Sequence, residues 1–263
     1  FFFIFLPTPA NLYKPSSYPI PTKILHRNGE LLYDIYDDQN RTPIKLDSLP
    51  QYLKEATIAI EDKNFYTHHG FDTGGLLRAA YKTLTGQRLE GGSTITQQLV
   101  KVALLTPERT LSRKIKEAIL TVATEILYSK NQILEMYLNH IPYGGTAYGI
   151  EAAAHRFFNK DAKDLTLAES TLLVGLPQAP SRFSPLANPD SAKARQSLVL
   201  NRMVEDKFVS NEVATTAKNE ELHFATSGID IRAPHFVMYV RQILEEKYGV
   251  HLVEQGGLKV TTS

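Results

Sequence analysis

Residues 58–70 read IAIEDKNFYTHHG, and this stretch marks the end of a helix. Apolar residues recur at helical spacing from Leu53 to Ile60 and stop at two adjacent acids, Glu61 and Asp62. The acids have two interpretations: solvated residues at a helix end, or a carboxylate in a cleft wall. Burial in a cleft would raise the pKa of Glu61 toward the range of a general base. By itself the stretch favours solvated acids.

The composition is that of an ordinary globular protein. The 263 residues are 43% hydrophobic and 22% charged, which predicts one or two domains with a sizeable core. The net charge is +1, so any anion site must be a local cluster. The absence of Cys excludes disulfides, thiolate zinc sites and Cys nucleophiles.

The periodicity outward from this stretch predicts a mostly α protein with a small β start. Residues 22–44 read as two short strands joined by the turn signal Asn28-Gly29. The terminal GGLKVTTS reads as another strand. Seven further helices are predicted, over 94–105, 112–128, 130–141, 166–176, 190–206, 210–220 and 233–248.

The segment EGGSTITQQLVK (90–101) combines a helix start with ligand-binding features. Thr94 and Gln97 have capping-box spacing, and the preceding glycine pair lets backbone N–H groups approach an anion. Gln98 and Lys101 lie three apart on one helix face. A plain turn and a solvated face are the alternatives, but the combination favours a functional site.

The helix that follows, within PERTLSRKIKEAILTVATEIL (107–127), has an apolar stripe and a charged face. Lys114 and Glu117 share that face, and with Lys101 and Arg109 they would place three cations and one carboxylate together. Three cations suit a diphosphate. In isolation the helix is better explained by a surface ion pair of Glu117. The residues predicted to form the buried stripe are Ile115, Ile119, Val122 and Ile126.

The region 131–180 is mostly explained by helix packing. Glu135, Tyr137 and Asn139 could line a site, whereas Glu169 has capping-box spacing from Thr166 and is predicted to be structural.

These segments together resemble the bacterial peptidoglycan glycosyltransferases of family 51, which occur in class A penicillin-binding proteins and as monofunctional enzymes. The resemblance covers about residues 45–220. It is carried by five ordered motifs: EDKNFYTHHG (61–70), GGSTITQQLVK (91–101), RKIKE (113–117), QILEMYLNHIPYG (132–144) and AHRFFNKDAKDLTLAESTLLVGLPQAP (154–180).

The resemblance implies a mostly α, lysozyme-like fold of two lobes. It implies polymerisation of lipid II, an undecaprenyl-diphosphate-linked disaccharide-pentapeptide, with inversion at the donor sugar. Glu61 would be the general base and Glu117 the second catalytic glutamate. By position, the residues that would hold the diphosphate are Lys101, Arg109 and Lys114. Those that would position the sugars or the diphosphate are Ser93, Gln98 and Glu117. Asp62 would support Glu61.

The implied partners are lipid II, the nascent glycan chain and the bacterial cytoplasmic membrane, with the catalytic domain on its outer face. Nucleic acid is not among them. No cofactor is required by the resemblance, although Mg²⁺ or another divalent cation can accompany the diphosphate in some members. His68 and His69 are adjacent and lack metal-ligand spacing, so no protein-borne metal site is predicted.

The sequence predicts four segments. Residues 1–21 resemble the end of a membrane anchor with a Pro-rich linker, 22–47 form the hairpin, 48–225 form the glycosyltransferase domain, and 226–263 lead toward a transpeptidase domain absent from these residues. The Ser-x-x-Lys and Lys-Thr-Gly motifs of that chemistry do not occur. Within the third segment, 71–90 alternates leucines with basic residues, which fits an anionic membrane surface or an ordinary packed helix.

Two other functions remain open at this stage. A muramidase or lytic transglycosylase would cleave the same polymer with one Glu, and Glu169-Ser170 resembles the Glu-Ser pair of the lytic enzymes. The lytic enzymes do not need the cation cluster. A membrane-anchored scaffold would bind lipid II without turnover, which the presence of both Glu61 and Glu117 argues against.

Overall fold

The computed structural model describes residues 6–12, 22–35, 42–72, 74, 92–105, 110–225, 234–248, 253 and 258–262. These residues are mostly helical, as the sequence predicts. Their helices are α1 Gln51–Glu61, α2 Ile95–Leu104, α3 Leu111–Leu127, α4 Lys130–His140, α5 Ile150–Phe158, α6 Leu167–Val174, α7 Pro189–Glu205, α8 Asn211–Asn219 and α9 Pro234–Tyr248. Their strands are β1 Thr22–Leu25, β2 Leu31–Ile35, β3 Pro142–Gly144, β4 Ala147–Tyr148 and β5 Lys259–Thr261.

One large apolar core holds the helices together. Helix α1 packs against α6 and α7, while α2 packs against α3 and α4. Leu53 of α1, Leu99 of α2 and Leu134 of α4 are completely buried in this core. Truncating such a residue to Ala typically costs about 2–5 kcal/mol, so the packing fixes where α1 ends relative to α2.

Among the described helices, three begin with a capping box, in which the N-cap hydroxyl and the side chain three residues later satisfy each other's backbone N–H groups. The two boxes that the sequence predicts, at α2 and α6, are confirmed, and the structure adds one at α4. The pairs are Thr94 with Gln97, Ser129 with Gln132, and Thr166 with Glu169.

A small sheet lies apart from the helical core, in the order β2-β1-β5. Strand β1 is antiparallel to β2, and Gly29 supplies the positive φ of +86° that the turn between them requires. Strand β5 joins β1 in parallel. Ile24 packs with Val237 and Leu244 of α9 in a second apolar cluster. The predicted division into four segments stays a prediction.

The sequence analysis missed α5 and the β3–β4 hairpin. The sequence carries a turn signal for this hairpin in the pair Gly144-Gly145, and both glycines adopt positive φ in the structure. Gly149 precedes α5 with φ +86°, and a Cβ there would lie 2.8 Å from the carbonyl oxygen of Asn139. The close approach of two backbone segments therefore requires glycine at this position.

The prediction for the buried face of α3 was wrong. Val122 and Ile126 are 45% and 78% exposed, and Ile115 is also exposed. The helix instead buries Leu120, together with the polar residues Glu117, Thr121 and Thr124. Both threonines tolerate burial because their hydroxyls donate to the carbonyl four residues earlier. Periodicity located the apolar stripe but could not say which face the rest of the protein covers.

The predicted anchor end at Phe1–Leu6 falls almost entirely outside the described residues. So does the segment 71–90, for which the sequence left a membrane-surface segment and a packed helix open. Among the helices of the described part, none combines the length and the apolar character needed to cross a bilayer.

Candidate active site

Glu61 is the last residue of α1, and its carboxylate sits in a nearly closed environment with 11% of the side chain exposed. Gln98 of α2 donates from Nε2 to Glu61 Oε2 at 2.8 Å. Oε1 has no hydrogen-bond partner among the described residues. Burial raises the pKa of Glu61, while the Gln98 hydrogen bond and the charge of Arg195 partly oppose that rise. The result is a carboxylate with one oxygen held by Gln98 and the other buried without a hydrogen-bond donor.

Two buried tyrosines complete this environment. Tyr137 donates from its hydroxyl to Gln98 Oε1 at 3.3 Å, which orients the amide so that its nitrogen faces Glu61. Tyr137 and Tyr143 are each about 1% exposed. Burial and the negative charge of Glu61 raise the pKa of both hydroxyls, so both remain neutral.

Arg195 of α7 is a site residue that the sequence analysis missed. Its Nη2 atom lies 3.9 Å from Glu61 Oε1, its Nε donates to the carbonyl oxygen of Gly175 at 3.2 Å, and its guanidinium lies over the ring of Phe183. A Cβ at position 175 would lie 2.8 Å from Arg195 Cγ, so the glycine leaves room for the arginine. No local signal marks Arg195, because the helix around it is largely polar.

Asp62 connects the end of α1 to the start of α2. It is 6% exposed, and its Oδ2 accepts from the backbone N–H of Ile95 at 3.0 Å. His68 Nε2 lies 2.8 Å from its Oδ1. A carboxylate at a helix N-terminus is favourable because it meets unpaired N–H groups and the positive end of the helix dipole. Asp62 therefore holds Gln98 in register with Glu61.

Glu117 forms a second charged group on α3. It is buried, it accepts from Arg113 Nη1 at 2.9 Å, and it also pairs with Lys114, whose side chain is 51% exposed. Glu117 therefore pairs with both cations at once, and its carboxylate is buried rather than at the surface. Removing one partner of such a buried carboxylate costs more than an exposed pair would, because the remaining charge loses compensation.

The loop that follows Glu61 and Asp62 packs against α3, the helix that carries Glu117. Gly70, with φ +90°, follows the loop after Asp62, and a Cβ there would lie 2.8 Å from Thr121 Cγ2 of α3. Thr121 lies one helical turn beyond Glu117 on the same face. The close contact at Gly70 therefore fixes α3 against the loop that leaves the Glu61–Asp62 corner.

The remaining predicted site residues are less enclosed. Ser93 is exposed just before α2, and its carbonyl oxygen lies 3.5 Å from Gln98 Nε2. Lys101 is exposed in α2. Arg109 lies outside the described residues. Of the three side chains of the fourth motif, only Tyr137 contacts this site; Glu135 and Asn139 bind the backbone at Leu46 and Ile44.

The described acids that could hold a metal ion are already paired with other groups. Each Glu117 oxygen already accepts from a cation, so this carboxylate does not fit a protein-borne Mg²⁺ site. Among the described residues, Glu151, His155 and Asp161 bring ligand-type atoms within 4.8 Å of one another. His155 Nε2 lies 3.2 Å from Glu151 and 3.4 Å from Asp161, so ion pairing explains this cluster without a metal.

His155 should make the stability of the fold depend on pH. The hydrogen bond and charge of Glu151 raise its pKa above 6.5, against the opposing effects of partial burial and of Lys23. The contribution is fully present below pH 6.5 and is lost as the pH rises through the folded pKa. We expect His155→Gln to lower the melting temperature by about 1–3 °C near pH 5.5 and by less near pH 8. Thermal melts at both pH values check this, and an equal loss at both would contradict it.

A family model described as Transglycosylase matches residues 28–204, which is more than half of the chain. The chain therefore belongs to the Transglycosylase family, and the resemblance to peptidoglycan glycosyltransferases is confirmed. As such it is a transglycosylase domain of the type found in class A penicillin-binding proteins.

Particular relatives agree with this class. Penicillin-binding protein 1A of Neisseria lactamica is 43% identical over 247 residues, which cover 93% of this chain and 31% of that protein. Penicillin-binding protein 1F of Bacillus subtilis (strain 168) is 40% identical over 249 residues, covering 91% and 34%. The crystal structure of penicillin-binding protein 1A from Haemophilus influenzae has a TM-score of 0.53 at 26% identity, covering 93% of this chain and 27% of that one. The chain thus spans about a third of the length of these curated relatives.

Proposed function

We propose that the chain polymerises lipid II into glycan strands at the outer face of the bacterial cytoplasmic membrane. The observation that carries the proposal is the Glu61 carboxylate, which is nearly buried, held on one oxygen by Gln98 and without a hydrogen-bond donor on the other. Its pKa is raised by burial, as suits a general base near neutral pH. Family membership supports the reaction class.

The proposed step is a direct displacement at the donor sugar. Glu61 takes the proton from the 4-hydroxyl of the acceptor GlcNAc as that oxygen attacks C1 of the donor MurNAc. The new C1–O bond forms while the bond from C1 to the lipid diphosphate breaks, with inversion. No covalent enzyme intermediate is required. The growing glycan chain is the donor and the incoming lipid II is the acceptor.

Departure of the diphosphate builds negative charge on its phosphate oxygens, and fixed cations would stabilise it. Lys114 is proposed for this task because its ammonium is half exposed while its helix is anchored by the buried Glu117. Lys101 and Arg109 are proposed as further cations, and Ser93 and Gln98 as positioning residues. A divalent cation carried by the diphosphate would add to these charges, and its ligands would come from the substrate.

Incubation of the chain in detergent with labelled lipid II tests the proposal. We expect glycan ladders on a gel. Ladder formation would support polymerisation, whereas release of anhydro-muropeptides from purified sacculi without ladders would favour a lytic enzyme. Glu169 does not support that alternative, because its carboxylate caps α6 through Thr166 and pairs with Lys160 at 2.6 Å.

Arg195 is proposed to position Glu61 and to keep it ionised. Since the charge of Arg195 lowers the pKa of Glu61, Arg195→Met should raise that pKa further. The acidic limb of the pH–rate profile should then move to higher pH, with activity lost mainly below neutrality. Arg195→Lys should restore part of the shift, and Arg202→Met on the same helix serves as a control. A uniform loss at all pH values would indicate a structural role alone.

A further inference from the structure

The side-chain amide of Gln98 lies among three oxygen atoms from different parts of the chain. Its Nε2 donates to Glu61 Oε2 at 2.8 Å and lies 3.5 Å from the carbonyl oxygen of Ser93. Its Oε1 accepts from the hydroxyl of Tyr137 on α4 at 3.3 Å. Because an amide nitrogen only donates and an amide oxygen only accepts, these contacts fit one of the two orientations of the amide.

A rotation of the Gln98 amide by half a turn would reverse each of these contacts. Oε1 would then face the Glu61 carboxylate and the Ser93 carbonyl, which are both acceptors, so the Glu61 charge would lose its donor. Nε2 could donate to the Tyr137 oxygen instead, but the hydroxyl proton of Tyr137 would have no acceptor among the described contacts. The Tyr137 hydroxyl therefore favours the orientation that serves Glu61.

Tyr137 is well suited to hold the amide because its own position is fixed. Its side chain is 1% exposed in the main core, and its helix α4 packs against α2, which carries Gln98. Burial and the negative charge of Glu61 raise the pKa of Tyr137 well above 10, so the hydroxyl keeps its proton and remains a donor. In the described contacts this hydroxyl bonds to Gln98 and not to Glu61 itself.

We propose that Tyr137 is a positioning residue for the base: its hydroxyl locks the Gln98 amide with the nitrogen on Glu61, and it acts on Glu61 only through that amide. The inference rests on the proposed function, because it assigns a further residue to the same site. A tyrosine that served only to fill the core would leave the titration of Glu61 unchanged when its hydroxyl is removed.

Loss of the Tyr137 hydroxyl should make Glu61 harder to ionise. Since the Gln98 hydrogen bond lowers the pKa of Glu61, an amide that is free to rotate would let that pKa rise. We expect Tyr137→Phe to move the acidic limb of the pH–rate profile to higher pH by about 0.5–1 unit, while the rate near pH 8 falls by less than about threefold. Among the described residues, the titratable or charged side chains coupled to the Glu61 charge are Asp62, Tyr137, Tyr143 and Arg195.

A double variant tests whether the effect passes through the amide. Gln98→Met removes the donor to Glu61 and should itself move the acidic limb to higher pH. In that background Tyr137→Phe should cause no further movement, because the group through which it acts is gone. Movements that add in the double variant would overturn the proposal.

Tyr52→Phe is the control for the loss of a tyrosine hydroxyl. Tyr52 lies on α1, the helix that ends at Glu61, and its hydroxyl donates to the carbonyl oxygen of Leu165. The acidic limb should stay in place in this variant. An equal movement in Tyr52→Phe and Tyr137→Phe would show a general structural effect and would also overturn the proposal.

A titration without substrate separates this inference from the proposed function. The δ-carbon signals of isotope-labelled glutamate are followed against pH by NMR, and Glu61→Gln identifies the Glu61 signal. We expect a higher pKa for Glu61 in Tyr137→Phe than in the parent chain, and no change in Tyr52→Phe. Equal pKa values in Tyr137→Phe and the parent would overturn the proposal. Absence of glycan ladders from the parent chain would instead overturn the proposed function and leave this comparison standing.

Discussion

Glu61→Gln is expected to reduce the rate of glycan polymerisation by about 10²–10⁴-fold, because the amide cannot accept the proton of the attacking hydroxyl. The fold should survive and melt at a slightly higher temperature. Burial raises the pKa of Glu61 above its ordinary value of 4.5, so ionisation above that pH opposes folding. Removing the charge removes this cost. The measurements are initial rates with labelled lipid II and thermal melts near neutral pH.

Glu55→Gln is the matched control, since Glu55 lies on the same helix and bonds only to exposed Gln51 among the contacts described. It should leave the rate unchanged. A Glu61→Gln variant that retained turnover would remove Glu61 as the base. A variant that lost turnover and also unfolded would show that the carboxylate is needed for structure, contrary to the stability argument.

Lys114→Ala should lower the rate by about 10²–10³-fold, since a fixed cation that meets a developing phosphate charge stabilises the transition state more than the ground state. The free energy of unfolding should change by less than the activation free energy does, because Arg113 still pairs with Glu117. Initial rates over a range of lipid II concentrations separate an effect on the maximal rate from one on binding.

Lys116→Ala removes the same charge from the same helix and is the control for the overall electrostatic effect. A much smaller loss in this variant would assign the effect to the position of Lys114. Equal, small losses in both would mean that Lys114 belongs to a surface ion-pair group, the alternative that the sequence of α3 favoured in isolation.

The helices were predictable because their signals are local. The capping spacing at Thr94 and Thr166 lies within four residues, and the structure has both boxes. Helix α5 was missed because the glycine turn before it was not interpreted as a hairpin. The buried face of α3 was assigned wrongly, since hydrophobic periodicity does not reveal what covers a face.

The site was less predictable because its contacts are long-range. The hydrogen bond from Gln98 to Glu61 joins residues 37 apart, and Arg195 reaches Glu61 from a helix much further along the chain. The resemblance pointed to Glu61 and Gln98 separately, but their direct contact and the free Oε1 atom needed the fold. No local sequence pattern marks Arg195, and the room for its side chain comes from the missing Cβ at Gly175, which only the fold reveals.

The hydrogen bond from Ile95 to Asp62 joins residues 33 apart, and beside it Thr94 donates from Oγ1 to the carbonyl oxygen of Gly70 at 2.7 Å. These two bonds close the connection between α1 and α2 at its base. The spacing of Glu61 and Gln98 is therefore set by residues at the two ends of the connection, Asp62 to Gly70 and Thr94 to Ile95. A change within either end would disturb the geometry of proton transfer even though it lies outside the reacting groups.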